Sequence, residues 1–126
     1  MAVYTQKLQL VCDYIQRHLD EDLDVDRLSQ VAALSKFHFH RIFAIHVGLN
    51  VMKFIQLSRL KRASFQLAFE PDLKIIEIAL QAGFDSPEAF TRAFKRSFDQ
   101  TPRAFRDKPD WESWRQKFVL RFQKVS

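Results

Sequence analysis

A chain of 126 residues with 47% hydrophobic content supplies one compact core or two very small ones and is short for a large enzyme. No apolar run approaches the roughly 18 residues of a membrane span, and the opening MAVYTQKLQLVCDYIQRHLDED has neither a signal-peptide core nor a cleavage site, so a soluble, cytoplasmic chain without a membrane partner is expected. The single cysteine excludes an internal disulfide, and two glycines and four prolines against thirteen phenylalanines leave little turn vocabulary for hairpins.

Tyr4, Leu8, Val11, Cys12, Ile15 and Leu19 fall at helical spacing and predict a first amphipathic helix with Cys12 on its buried side. The acidic segment DEDLDVD follows, in which Asp24 is placed to N-cap a second helix from Val25 to Ala32. Ser35 is placed to cap a third. The stretch Phe37-His38-Phe39-His40-Arg41-Ile42 alternates like a strand, but Phe39, Ile42, Phe43 and Val47 share one side of a helix and carry the pattern past the end of the alternation. A helix is expected there. Gly48 closes it, Asn50 opens a long helix running to about Glu70, and Pro71-Asp72 breaks that helix before a new start at Leu73. A second trio covers Lys74 to Ala82, Pro87 to Phe98 and a short turn from Pro102 to Arg106. Pro109 reads as a boundary. Beyond it Trp111, Trp114, Phe118 and Phe122 have near-helical spacing, whereas KFVLRF reads equally as a strand opening a further domain.

The chain repeats itself. Setting Arg41 on Arg92, an offset of 51, brings Ser35 onto Ser86, Phe39 onto Phe90, Phe43 onto Phe94, Val47 onto Phe98, Asn50 onto Thr101 and Phe54 onto Phe105. Upstream of the turn the offset is 50, pairing Leu28 with Ile78, Ala32 with Ala82, Ala33 with Gly83 and Leu34 with Phe84. Each copy is a short helix, a tight turn at a small residue, a capped second helix and a further capped element, which is the plan of a helix-turn-helix. The expected fold is all-α, with two homeodomain-like three-helix units joined by a long central helix. Its divisions fall at 1–49, 50–70, 71–108 and a C-terminal extension at 109–126. The joining helix, at 1.5 Å per residue, is roughly 30 Å long, close to the ~34 Å between successive major grooves on one face of a duplex. A single copy of the chain, or at most a weak dimer, then covers two grooves.

Charge distribution points to the same class of partner. From Arg27 to Phe69 there are seven Lys or Arg and no Asp or Glu, whereas Asp20 to Asp26 holds five carboxylates. The net charge of +5 is unremarkable for a chain of this size, but the acidic groups are segregated from the first helix-turn-helix, and a field distributed in this way favours a polyanion.

The segments LSQVAALSKFHFHRIF and IALQAGFDSPEAFTRAFKRSFDQTPRAFR resemble the AraC/XylS family of transcription regulators, especially its small members, over roughly residues 5 to 107. The first follows the pattern Leu-Ala-x-x-Ala-Gly-x-Ser-x-x-His-Phe-x-Arg-x-Phe; the second follows the more restrictive C-terminal signature almost throughout. Ala33 stands where that pattern has glycine, and Asn50-Val51 where Ser-Pro is common. The resemblance implies a sequence-specific activator that binds double-stranded DNA in the bacterial nucleoid, with RNA polymerase as a partner and the family's regulatory domain absent on the N-terminal side.

Carried over onto this chain, the family's base-reading positions fall on Phe37, His40 and Arg41 in the first unit and on Glu88, Thr91 and Arg92 in the second. Helical geometry independently turns these away from the apolar stripes, leaving Lys36, Phe37, His40, Arg41 and Ala44 on one outer face and Pro87, Glu88, Thr91, Arg92 and Lys95 on the other. An arginine there suits guanine O6 and N7, Glu88 suits cytosine N4, and Phe37 suits a thymine methyl. Ser35, Lys36, Lys53, Arg59, Lys61, Arg62, Ser86, Lys95, Arg96 and Arg103 are candidates for phosphate contacts, which orient a protein without reading sequence.

Other chemistries lack the residues they need. His38, His40 and His46 have no i, i+4 partner and no cysteine or carboxylate cluster, so neither a metal nor another cofactor is expected. No nucleophile with a base, glycine-rich phosphate loop or paired carboxylate motif can be named, so the chain is not read as an enzyme. Two competing functions remain: an aromatic-rich module that binds a partner helix, and an architectural DNA binder indifferent to sequence.

Overall fold

The computed structural model describes the backbone of residues 2–122 and the side-chain surroundings of residues 3–117. Within them every regular element is an α-helix: α1 (Ala2–Arg17), α2 (Val25–Ala32), α3 (Lys36–Val47), α4 (Val51–Phe69), α5 (Ile75–Gln81), α6 (Pro87–Phe98), α7 (Pro102–Asp107) and α8 (Trp111–Phe122). None is long and apolar enough to cross a membrane. The helices gather into two compact units, one within residues 1–55 and one within residues 56–120, and the division falls inside α4.

In the first unit α1 contributes Leu8, Val11, Cys12, Ile15 and, just past its end, Leu19 to a core completed by Leu28, Phe39, Phe43, Val47 and the opening turns of α4, where Val51, Phe54 and Ile55 are buried. The central helix is therefore not a bare spacer, since its first turns are core to the first unit. Burial, and secondarily the Asp13 carboxylate, push the Cys12 thiol up to about 12, so it stays protonated near neutral pH and packs as a small hydrophobe.

The repeat read in the sequence is a repeat of geometry. Ala33 and Gly83 both occupy the left-handed region, at φ 57° and 88°. The amide of Ala33 donates to Gln30 O at 3.0 Å and that of Leu34 to Ser29 O at 3.0 Å; the counterparts are Gly83 to Leu80 O at 3.0 Å and Phe84 to Ala79 O at 3.1 Å. The rings of Phe39 and Phe43 lie 5.7 Å apart at 57°, those of Phe90 and Phe94 5.7 Å apart at 54°. Phe54 meets Phe43 edge-on at 5.5 Å and 75°; Phe105 meets Phe94 at 5.4 Å and 74°. Edge-to-face pairs of this kind contribute about 0.5–1.5 kcal/mol beyond their burial.

The copies differ where their surroundings differ. Asp24 caps α2 by accepting from the Arg27 amide at 2.8 Å, but its counterpart Lys74 makes no side-chain cap, and α5 begins one residue later than the sequence suggested and ends at Gln81. In both copies a preceding helix packs on the pair, and α4 serves the second unit as α1 serves the first. An offset of 52 places Leu8 on Leu60, Val11 on Ala63, Cys12 on Ser64 and Ile15 on Leu67, all of them buried. From α1 the Lys7 ammonium donates to Ala32 O at 3.0 Å; from α4 the Arg62 guanidinium donates to Gln81 O at 2.8 Å. Each cation meets the carbonyl end of the short helix ahead of the turn, where the helix dipole favours positive charge. Arg59 lies over that turn in the second unit, so that a Cβ added to Gly83 would stand 3.4 Å from its guanidinium.

The C-terminal extension resolves to a helix, and the strand reading of KFVLRF is not borne out: α8 runs unbroken to Phe122. Asp110 caps it, accepting from the Ser113 amide at 3.1 Å. Trp111 stacks on Phe69 at 5.7 Å and meets Phe105 edge-on at 5.1 Å, and the Trp114 indole N–H donates to the Ser64 hydroxyl at 2.9 Å. The side chains of Phe118 and Phe122 lie outside the described residues. α7 extends one residue past the expected turn, to Asp107, and Thr101 caps it through the Ala104 amide at 3.1 Å.

Two stability predictions arise from the turns. Gly83→Ala is expected to lower the unfolding free energy by about 1 kcal/mol, because alanine is strained at positive φ; Ala33→Gly is expected to raise it by ~0.5 kcal/mol. Urea denaturation of the two variants should shift the midpoint in opposite directions. Arg62→Ala is expected to cost about 1 kcal/mol through the lost charge-assisted hydrogen bond to Gln81, with partial recovery in Arg62→Lys, as read by thermal melts followed by circular dichroism.

Candidate nucleic-acid interface

Two helices, α3 and α6, present the outward faces. Ser35 is extended at φ −66° and ψ 158°, and its hydroxyl accepts from the His38 amide at 3.2 Å; Ser86 does the same for the Ala89 amide at 3.1 Å, with Pro87 occupying the first helical position. Such caps satisfy a first-turn amide and fix the residue at which each helix begins. Both helices also end alike. Gly48 at φ 87° and Asp99 at φ 63° close them in the left-handed region, and their amides return to Ala44 O at 3.0 Å and Lys95 O at 2.8 Å.

With entry, exit and apolar stripe fixed, the remaining face follows. Phe39, Ile42, Phe43 and Val47 are buried on α3, and Lys36, Phe37, His40, Arg41 and Ala44 are exposed. Phe37 is 77% exposed, a large apolar side chain held in water at the head of the helix, so it is not a core residue of its own unit. On α6 Phe90, Ala93, Phe94, Ser97 and Phe98 are buried, while Pro87, Glu88, Arg92 and Lys95 are exposed and Thr91 is half-buried between them. Each unit thus brings its three candidate reading residues onto one face. His38 and His46 turn the other way, toward α1. The Tyr4 hydroxyl sits 3.2 Å from His38 Nε2, and the Tyr4 ring lies 6.2 Å from that of His46.

The cations divide into two groups. Lys53, Lys95, Arg96 and Arg103 are exposed, the first in the opening turn of α4 beside its cap Asn50, the last in the opening turn of α7 beside its cap Thr101. Lys36 is also exposed but pairs with Asp26 of α2 at 3.1 Å, an ion pair with both partners in solvent and correspondingly weak. Arg59, Lys61 and Arg62 are half-buried on α4, and two of the three contact the fold itself: Arg59 lies beside the Gly83 turn, and Arg62 holds the end of α5. All three carry the same sign and so had the same candidacy; the carbonyl that takes Arg62 lies 19 residues away and carries no sequence signal.

Several supports of this interface went unread in the sequence. Arg106 of α7 donates through Nε to Leu67 O at 3.0 Å and through a terminal nitrogen to Glu70 O at 3.1 Å, closing the carbonyl end of α4. Lys117 of α8 pairs with Asp99 at the end of α6. Gln100 bridges the chain around Pro109, donating to Lys108 O at 3.0 Å and accepting from the Asp110 amide at 3.0 Å.

The comparisons with known proteins agree with this architecture. A family model described as a helix-turn-helix domain matches residues 28–108. The HTH-type transcriptional regulator YbfP of Bacillus subtilis is 42% identical over 103 residues, covering 82% of this chain and 35% of that protein. The right origin-binding protein of Escherichia coli K12 is 37% identical over 101 residues, covering 80% of this chain and 35% of that protein. The chain therefore spans about a third of the length of these relatives. Among solved structures, an AraC-type regulator from Chromobacterium violaceum superposes with a TM-score of 0.74 at 25% identity, covering 93% of this chain and 96% of that one. The DNA-binding domain of AdpA, solved in complex with a target DNA, superposes with a TM-score of 0.68 at 30% identity, covering 77% of this chain and 86% of that one. Duplicated turn, caps and ring geometry, together with these matches, place the chain in the AraC-type helix-turn-helix family of transcriptional regulators.

Proposed function

We propose that this chain is a sequence-specific double-stranded DNA-binding domain of a transcriptional activator, that α3 and α6 enter successive major grooves, and that one copy suffices. The observation that carries the reading is the pair of outward faces, Phe37, His40 and Arg41 on α3 and Glu88, Thr91 and Arg92 on α6, held by matching serine N-caps and near-identical ring packing. A DNA-binding domain of the same fold was solved on its target DNA, which supports the class of ligand. Arg41 and Arg92 pair with guanine O6 and N7, Phe37 packs on a thymine methyl, and Glu88 accepts from cytosine N4. Ser35 and Ser86, with Lys36, Lys53, Lys61, Lys95, Arg96 and Arg103, take phosphates and set the register. RNA polymerase as the partner in activation and the cytoplasmic nucleoid as the location rest on the family resemblance.

The two faces predict an asymmetric site. Selection from a randomised duplex library should return two unlike half-sites, and nuclease footprinting should protect both; a module that binds only protein would enrich nothing. Arg92→Ala is expected to lose about 1–3 kcal/mol on the selected duplex and to relax discrimination at one or two base pairs. Arg96→Ala should weaken binding to all duplexes alike and reduce the slope of log K against log salt by about 0.9. Retained preference in Arg92→Ala would make α6 a clamp and leave specificity to Phe37, His40 and Arg41.

A further inference from the structure

The helix-turn-helix match ends at residue 108, yet α8, which lies beyond it, converges on the end of the second reading helix. The C-cap of α6 is a demanding position. Asp99 holds φ 63° without being glycine, and it places a carboxylate at the negative end of a helix dipole. Its counterpart in the first unit is Gly48, which has neither side chain nor charge. The carboxylate is unfavourable there unless a cation answers it, and Lys117, in the second turn of α8, supplies that cation.

α8 is fastened so that Lys117 arrives there. Gln100, the residue after the cap, grips Lys108 O and the Asp110 amide on either side of Pro109. Asp110 starts the helix, and the Trp114 indole anchors it to Ser64, a hydroxyl buried completely inside α4. Trp111 lies edge-on to Phe105, the ring that itself closes on Phe94 of α6. The extension therefore touches α6 at its cap directly and at its core through one intervening ring.

We propose that α8 is a positioning element of the second reading helix and that Lys117 is its positioning residue: by neutralising Asp99 it holds the last turn of α6, and with it the angle at which Arg92 and Glu88 meet a base pair. The proposal rests on the DNA-reading function above. Asp99→Gly makes the cap like Gly48, removing the charge and the strain together, so it should make Lys117 dispensable.

The test is a double-mutant cycle in the full chain, with Lys117→Ala made in the natural and the Asp99→Gly backgrounds and Lys117→Arg as the conservative variant. Two readouts are taken: discrimination between the selected duplex and duplexes altered in one half-site, and hydrogen exchange of the Asp99 amide without DNA. Lys117→Ala should lower discrimination at the second half-site about two- to fivefold, leave the first half-site unchanged and speed exchange of the Asp99 amide, with Lys117→Arg restoring both. In the Asp99→Gly background the same substitution should change neither. Equal loss in both backgrounds with a shallower salt dependence would make Lys117 a phosphate ligand and overturn the proposal. A uniform loss on every sequence that tracks melting temperature, or no effect, would overturn it too. If the natural chain discriminates no duplex, the DNA-reading function fails by itself, and Asp99 exchange still decides whether Lys117 holds the cap.

Discussion

A helix has a limited circumference, and once two phenylalanines one turn apart are driven into a core, the side left for a ligand is decided. That constraint organises this protein. Phe39 and Phe43 on α3, and Phe90 and Phe94 on α6, are fully buried, and each pair is met by a third ring, Phe54 or Phe105, delivered by the next element at nearly the same angle. Deleting a buried ring forfeits its contacts and leaves a cavity, typically a loss of about 3–5 kcal/mol, so rotation of either helix about its axis is strongly opposed. The serine caps set where each helix begins, and the left-handed residues at the far ends set where it stops.

The same scaffold presents two different chemistries. The face of α3 combines an exposed aromatic ring with a histidine and an arginine; that of α6 replaces the ring with a carboxylate and the histidine with a threonine. Nothing in the packing requires these differences, since the residues lie outside the cores. Conversely, residues that share a sign need not share a role. Arg62 and Arg96 are both arginines on helices of the second unit, yet Arg62 spends hydrogen-bonding capacity on a carbonyl of its own fold while Arg96 stands in solvent.

The sequence made the repeat legible because burial and capping each need particular residue types: Ser35 and Ser86, Asn50 and Thr101, and the paired phenylalanines recur at a constant offset. Helix limits followed to within a residue or so, both where a capping side chain marked them and at α5, where Lys74 makes no side-chain cap and the apolar spacing alone set the bounds. The homology of α1 with the later turns of α4 was harder to see, because it runs at a different offset and replaces Cys12 with Ser64 and Lys7 with Arg59. The role of α8 was not readable at all. Trp111 and Trp114 fit a helix and KFVLRF fits a strand, and the partner that favours the helix at Trp114 is a serine 50 residues earlier. The candidate base-reading positions came from resemblance together with helical geometry, and the exposure of Phe37 agrees with the geometric part, which placed that ring off the apolar stripe of α3.

The central claim is that both α3 and α6 read base edges from the major groove. Guanine N7 lies in that groove, so dimethyl sulfate protection on the selected duplex, compared between the natural chain and Arg41→Ala and Arg92→Ala, addresses it most directly. Two separate clusters of protected N7 are predicted, the first lost in Arg41→Ala and the second in Arg92→Ala. A single cluster, or two clusters that survive both substitutions, would contradict the account.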